Sequence, residues 1–393
     1  MDSARSGDVR PRIVHLDHTG ARGGAELALL RLLSAGPSWD ATVLLPASEP
    51  DDVFAQLPTG VPRLIAGVRQ GAGGSGSSPA RLADLAARLF AQAAATRWHR
   101  SVRDSDVVVA NSTRAAAYGA LAVQHSPRPF VVHLRDLITP DALGAFGYRL
   151  MTRIILPRAD GVIGNSRTTL DSARPFLRAD AVAVSIPSAS GIAGPTPATR
   201  GAGPLTIGML ARIDPWKGQR ELLEAFAQAF GSGDARLELA GGAPFGQEAF
   251  AAELRARADE LGIGHRVHLL GHVENTAARI AGWDIAVQYS TRPEPLGQNV
   301  LQYLAGGAAT VVADEGGPTE WIDDGVNGLR VEPREVPALA VALRRLGDDP
   351  ALRGRVADAG QRTPGLMDDT AVACAHANAY GEVLTRSTRL ALA

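Results

Sequence analysis

Short apolar runs alternate along this chain with longer stretches whose apolar residues recur at helical spacing. Arg12–Leu16, Ala41–Leu45, Asp106–Ala110, Phe130–Leu134 and Gly161–Gly164 read as buried strands of a first series. A second series follows at Leu205–Leu210, Arg236–Ala240, Arg266–Leu269, Ile285–Gln288, Thr310–Ala313 and Leu329–Val331. Between them the spacing predicts helices, among them Ala25–Leu33, Gln219–Phe230, Glu248–Leu261, Asn299–Ala305 and Val336–Leu346, with a final one near Asp369–Thr385. Near-continuous apolar strands joined by amphipathic helices mark parallel sheets covered on both faces. The pattern therefore predicts an α/β protein of two doubly wound, Rossmann-like domains facing across a cleft.

The two series are separated by Ser188–Pro204, a Gly/Pro/Ser/Thr-rich stretch that cannot form a buried element. The expected division is an N-terminal domain over 1–190, a linker over 191–204 and a C-terminal domain over 205–365. A terminal helical segment, 366–393, is expected to complete the first domain. Gly71–Ser78 is a second low-complexity stretch, read as a surface loop or as a flap over a ligand. A length of 393 residues suits two domains, and 45% apolar with 21% charged residues is ordinary for a globular chain. A net charge of −1 gives no broad cationic field for nucleic acid. No apolar run reaches the roughly 20 residues of a membrane span, and the first residues lack the apolar core of a signal peptide, so a cytoplasmic protein is expected. Cys374 is the only cysteine, which excludes an internal disulfide and cysteine-based metal centres.

In doubly wound sheets ligands bind beyond the carboxyl ends of the strands, so the turns that follow each strand carry the candidate chemistry. The first turn holds Gly23 and Gly24 ahead of a helix, a place where backbone N–H groups can approach a phosphate. Its spacing is not that of dinucleotide folds, which disfavours a nicotinamide cofactor. Arg212 and Lys217 stand between a strand and a helix in the second series, two cations suited to a pyrophosphate. Glu294 opens another such turn, followed by the backbone N–H groups of Gly297, Gln298 and Asn299. Asp104-Ser105-Asp106 has the letters of a metal-binding Asp-x-Asp but precedes its strand, and no other metal-ligand spacing occurs.

Taken together these turns resemble the family-4 retaining glycosyltransferases of GT-B fold, in glycosyl transferases group 1. The resemblance rests on Gly23-Gly24-Ala25-Glu26, Asp160 with Asn165-Ser166, Arg212-x4-Lys217-Gly218, Leu269-Leu270-Gly271-His272-Val273, Glu294-Pro295-Leu296-Gly297, Gly316-Gly317-Pro318 and Asp324-Gly325 with Asn327-Gly328. It implies a metal-independent hexosyltransferase that takes a nucleotide-sugar as co-substrate, needs no cofactor and retains anomeric configuration. Arg212, Lys217, Gly23, Gly24, Gly297, Gln298 and Asn299 would serve the donor phosphates. Gly271, His272, Val273, Val300 and Gln302 would meet the nucleoside, and Glu294 the reacting sugar. The family's Glu-x7-Glu motif departs here, because Gln302 stands in place of its second Glu. Gln keeps an acceptor oxygen but loses the charge, which predicts weaker or retuned ribose binding.

The family's His-Asp pair in the first domain falls near His133 and Asp136, which makes these the candidate catalytic residues there; Arg135 is the other residue that could occupy the His position. The acceptor is open between a small natural product, a lipid-linked sugar and a polysaccharide. The Arg-spaced helix Arg81–Arg103 allows peripheral contact with anionic lipid, although a solvated face also explains it. A nucleotide-sugar epimerase or glycogen-type phosphorylase of the same fold, or a catalytically silent homologue that acts as a binding partner, are the competing readings.

Overall fold

The computed structural model describes residues 10–69, 79–192, 203–243 and 246–392. The Gly71–Ser78 loop and most of the linker, 193–202, lie outside the described residues. The chain forms two compact units, Met1–Ser188 with Asp369–Ala393, and Ala189–Asp368.

In the first unit seven parallel strands form one sheet: β1 (Arg12–Leu16), β2 (Asp40–Leu45), β3 (Arg63–Ile65), β4 (Val107–Ala110), β5 (Phe130–Leu134), β6 (Gly161–Gly164) and β7 (Val182–Ser185). Their order is β3-β2-β1-β4-β5-β6-β7. The first strand thus lies in mid-sheet, the following strands wind out to one edge, and the chain returns to wind to the other, leaving a switch point between β1 and β4. The six strands of the second unit repeat the scheme: β8 (Thr206–Leu210), β9 (Arg236–Ala240), β10 (Val267–Gly271), β11 (Ile285–Gln288), β12 (Ala309–Ala313) and β13 (Leu329–Val331). Their order is β10-β9-β8-β11-β12-β13, with the switch point between β8 and β11. Both sheets carry helices, and the central strands β4, β5, β6, β11 and β12 are buried along their whole length, as their apolar runs require.

Local chemistry explains how several helices begin. Ser112 and Ser166, placed directly after β4 and β6, accept from Ala115 N at 3.3 Å and Thr169 N at 2.9 Å, capping the helices that follow. The helix Gln219–Phe230 packs Leu222, Leu223 and Phe226 into the core of the second unit. Each such side chain contributes about 1.5–3 kcal/mol by its burial. No described helix is long and apolar enough to cross a membrane.

The helix Asp369–Leu392 belongs to the first unit, on the side of β6 and β7. Glycine at 161 lets it come close, since a Cβ there would lie 2.7 Å from Val383 Cγ2. Arg31 pairs with Asp369 at 2.7 Å. Beneath the helix lies a polar aromatic cluster. Trp39 Nε1 donates to His15 Nε2 at 3.3 Å, Tyr380 meets Trp39 edge-on at 5.2 Å between ring centres, and His133 and His376 are 5.2 Å apart. Burial pushes His15 down to about 3 and His376 down to about 4, and lowers His133 as well.

These histidines fold neutral but ionise in the unfolded chain once the pH falls below the usual imidazole pKa of about 6.5. The unfolded state then binds more protons, so stability falls as the pH drops from about 6.5 towards 4. Melting temperatures measured across that range should decline for the parent chain. His376→Gln should decline less steeply, and equal slopes would mean that His376 does not hold this dependence.

Candidate functional site

The site in the second unit is built from the turns after β8, β11 and β12. After β8, Asp214 accepts from Trp216 N at 3.4 Å, closing a short turn that ends in Gly218. Gly218 has φ +82°, and a Cβ there would lie 1.8 Å from the carbonyl oxygen of Tyr289, the first residue after β11. Only glycine permits this backbone approach. Thr291 N also donates to Trp216 O at 2.8 Å, so the two turns flanking the switch point are fastened to each other.

That fastening places Lys217 Nζ in an ion pair with Glu294 Oε1. Ser290 Oγ donates to the same oxygen at 3.3 Å. From the turn after β12, Gly317 N donates to Glu294 O at 2.8 Å, and Gly316, at φ +72°, sits where a Cβ would be 2.5 Å from that oxygen. Glu294 is thus held by its side chain and its backbone, with its side chain 8% exposed. Three residues on, Gly297 at φ +73° opens the helix Gln298–Ala305 with no side-chain cap. The start of that helix offers N–H donors and the positive end of its dipole. Arg212 pairs with Asp214 at 3.2 Å and keeps nearly half of its side chain exposed.

The remaining sequence-derived residues of this unit divide. Gln298 Nε2 donates to Ala189 O at 2.8 Å, and Asn299 Nδ2 donates to Leu210 O at 3.1 Å, so both side chains tie the helix start to its surroundings. Val300 does not fit the nucleoside role. Its side chain is fully buried beside Leu304, Val312 and Ile322, and its N–H is taken by Gly297 O at 2.8 Å. The residue supports the helix from beneath because the core-facing stripe of that helix passes through it. Gln302 is half-buried. At the end of β10, Gly271 has φ +65° and its carbonyl accepts from Gly241 N at 2.8 Å, next to an exposed His272 and a half-buried Val273.

In the first unit the turn after β1 meets the ends of β4 and β5. Gly23 precedes the helix Gly24–Ser34, and Glu26 curls back over it, so that a Cβ at 23 would lie 2.3 Å from Glu26 Oε2. Asp17 is fully buried. Its carboxylate accepts from Asn111 Nδ2 at 2.6 Å and from His18 N at 2.8 Å, while Tyr118 donates to its carbonyl at 2.8 Å. Arg135 donates to Asn111 Oδ1 at 2.7 Å. His18 Nδ1 lies 2.9 Å from Ser112 Oγ. Burial, and then the charge of Asp17, push Glu26 up to about 7, against the pull of His18 and Arg135.

His133, the penultimate residue of β5, is buried against His376, with its Nδ1 3.4 Å from Arg135 Nη2. Arg135 occupies the first position beyond the strand. Asp136 is exposed, with Thr113 Oγ1 3.4 Å from its carboxylate. Asp17, His18 and Glu26 bring one ligand atom each within 4.8 Å of one another. Both oxygens of Asp17 already accept hydrogen bonds, and Asn111 and Arg135 complete a donor-rich network, which suits a satisfied carboxylate better than a cation site.

Sequence reasoning missed Trp216, whose ring has Lys217 Nζ 3.8 Å from its centre, and the backbone role of Gly316-Gly317 on Glu294. Tryptophan has no ionisable group and so left no chemical signal, while the glycine pair was visible as a motif without a stated task.

Residues 198–363 match the family model described as glycosyl transferases group 1. Over 110 residues the chain is 34% identical to the lipopolysaccharide core biosynthesis glycosyltransferase LpsE of Rhizobium meliloti, covering 28% of this chain and 32% of that protein. It is 31% identical over 152 residues to the alpha-D-kanosaminyltransferase of Streptomyces kanamyceticus, 38% of each chain. The chain thus spans about a third of the length of the curated relatives it matches. Among solved structures, Anabaena Alr3699/HepE in complex with UDP and glucose superposes with a TM-score of 0.75 at 26% identity, over 97% of this chain and 98% of that one. Sucrose-phosphate synthase from Thermosynechococcus elongatus superposes with a TM-score of 0.78 at 20% identity, over 96% and 100%, a likeness of fold. The architecture is that of the GT-B glycosyltransferases.

Glu26 folds with a raised pKa, so its contribution to stability is fully present below the usual carboxylate value and is lost as the pH rises through about 7. Glu26→Gln, which mimics the protonated form, should melt with the parent chain near pH 5 and above it near pH 8. An unchanged difference between the two pH values would refute the raised pKa.

Proposed function

We propose, because residues 198–363 match the family model described as glycosyl transferases group 1, that the chain is a retaining, metal-independent glycosyltransferase acting on a nucleoside diphosphate sugar. The observation that carries this reading is the Lys217–Glu294 pair, which joins the turn that carries Arg212 to the turn that ends in the uncapped helix start at Gly297. A cation paired to a carboxylate in the free protein can exchange that partner for a phosphate when a donor enters. Glu294 is then free to accept hydrogen bonds from hydroxyls of the sugar. A uridine diphosphate donor is favoured by the likeness to the HepE complex with UDP and glucose.

In this scheme the bond between the anomeric carbon and the phosphate oxygen breaks, and the electron pair leaves with the nucleoside diphosphate. Arg212, Lys217 and the helix N–H groups neutralise the charge that grows there, doing what a divalent cation would otherwise do. The acceptor oxygen bonds to the same face of the sugar, which retains configuration, and its proton passes to the departing phosphate. No cofactor enters. Arg135, beyond the end of β5 and bonded to Asn111, is the residue we assign to the position that the family fills with a histidine, in place of His133. The acceptor would be a sugar hydroxyl or a similar alcohol, and a cytoplasmic location remains part of the proposal.

The test is a thermal-shift panel of UDP, GDP, dTDP, ADP and CMP with their common sugar conjugates, with and without EDTA. Ligand at a hundredfold above its dissociation constant should stabilise the chain by about 2.7 kcal/mol. One nucleotide class should respond, and EDTA should change nothing; silence across the panel would sink the donor site. With the responding donor, Glu294→Gln should cut sugar release or transfer by about a hundredfold or more. Gln302→Glu should tighten donor binding roughly fivefold, the scale of one charged over one neutral hydrogen bond. The anomeric proton of the product, read by NMR, decides retention against inversion.

A further inference from the structure

Trp216 gathers three cations. Lys217 Nζ lies 3.8 Å from the centre of its ring, the guanidinium carbon of Arg292 4.2 Å, and that of Arg212 5.9 Å. Two of the three have carboxylate partners, Lys217 in Glu294 and Arg212 in Asp214. Arg292 forms no ion pair among the described residues and is exposed. The cluster therefore holds three positive charges against two negative ones. In the same turn, the Trp216 indole N–H is a buried donor without an acceptor among the described residues.

Like charges repel, and a free arginine on a surface turn is ordinarily drawn to a carboxylate or left to wander in solvent. Here the chain holds one close to two other cations by stacking it on an aromatic ring, an attraction that orients a guanidinium without consuming its hydrogen-bond donors. Its backbone is held as well. Thr291 N donates to Trp216 O at 2.8 Å, and Arg334 donates to Thr291 O at 3.1 Å, so the residue before Arg292 is fixed at both polar groups. A pre-positioned guanidinium with its donors unspent, beside excess positive charge, is an arrangement that a dianionic ligand satisfies.

We infer that Arg292 is a third phosphate-binding cation of this site, held in readiness by stacking on Trp216. Arg292 donates to the diphosphate of the donor alongside Arg212 and Lys217, and Trp216 acts as its positioning residue. The inference rests on the donor-site reading and adds to it a residue that the Arg-x4-Lys-Gly motif does not contain.

The probe is inorganic pyrophosphate, which has neither base nor sugar, titrated calorimetrically into the full chain alongside the nucleoside diphosphate that responds in the panel above. Arg292→Ala should weaken both ligands roughly tenfold, equivalent to about 1.4 kcal/mol, while the free nucleoside, lacking phosphate, loses nothing. The salt dependence of binding should become shallower by about one charge. Arg292→Lys should recover part of the loss. Trp216→Phe, which keeps an aromatic face, should bind nearly as the parent does, whereas Trp216→Ala should approach Arg292→Ala. The double variant, Trp216→Ala with Arg292→Ala, should be no worse than Trp216→Ala alone. Unchanged pyrophosphate and nucleotide affinity in a correctly folded Arg292→Ala would overturn the inference while leaving the donor site standing. Failure of the parent chain to bind either ligand would overturn the donor-site reading itself.

Discussion

The carbonyl oxygen of Tyr289 rests against Gly218, and the geometry of the candidate site in the second unit depends on that contact. The strands β8 and β11 are neighbours only because the chain reverses its direction of winding between them. Their outgoing turns would otherwise be independent loops, free to drift apart. A glycine with positive φ removes the side chain that would separate them, since a Cβ would come within 1.8 Å of the oxygen. Lys217 and Glu294, 77 positions apart in sequence, then meet as a matter of backbone geometry. The turn after β12 closes in from the other side through Gly316 and Gly317, which leaves the Glu294 backbone little freedom.

The first unit solves a related problem with opposite means. Its switch point is occupied by side chains rather than by close backbone contacts. Asp17, Asn111 and Arg135, from three strand ends, hold one another in a hydrogen-bonded chain, and Glu26 is left with a pKa near neutrality. Such a network is stiff when satisfied and costly when one member is removed, because the partners are buried. The second unit presents donors and cations, as an anionic ligand requires. The first packs a buried network of carboxylates, an amide and a guanidinium at the same place. The difference between the two units lies in what stands at each switch point and not in the sheets, which share one winding order.

Most of this architecture could be read from the pattern of apolar residues. Arg12–Leu16, Phe130–Leu134, Gly161–Gly164, Arg236–Ala240, Ile285–Gln288 and Leu329–Val331 are strands at the bounds that the pattern predicts. The strands that escaped notice, β3 and β7, are the two edges of the first sheet, only three and four residues long and largely half-buried. An edge strand lacks a neighbour on one side, and the apolar run that betrays a central strand is not required of it. The helix Pro350–Gln361 was also missed. Its arginines, aspartate and glycines dilute the stripe formed by Leu352, Val356 and Ala357. At the site, charged motif residues were legible, but the roles of uncharged ones were less so. Val300 sits in a motif yet belongs to the core, and Trp216 lies between motif letters yet organises three cations. Motif spacing records which residues travel together, and it does not say which way each one points around a helix.

The passage of the chain between its units carries a consequence for how the protein is born. The second unit is one unbroken stretch, Ala189–Asp368, whereas the first is closed by a helix that begins only at Asp369. On a ribosome, the first sheet emerges early but must wait for the entire second unit to be synthesised before His376 and Tyr380 can cover His15, His133 and Trp39. During that interval the imidazoles of His15 and His133 and the indole of Trp39 lack the cover that His376 and Tyr380 give them, while the later-made unit already contains its own core. The order of synthesis and the order of completion are therefore reversed. The nascent first half depends for its final shape on residues made only after the whole of the second unit.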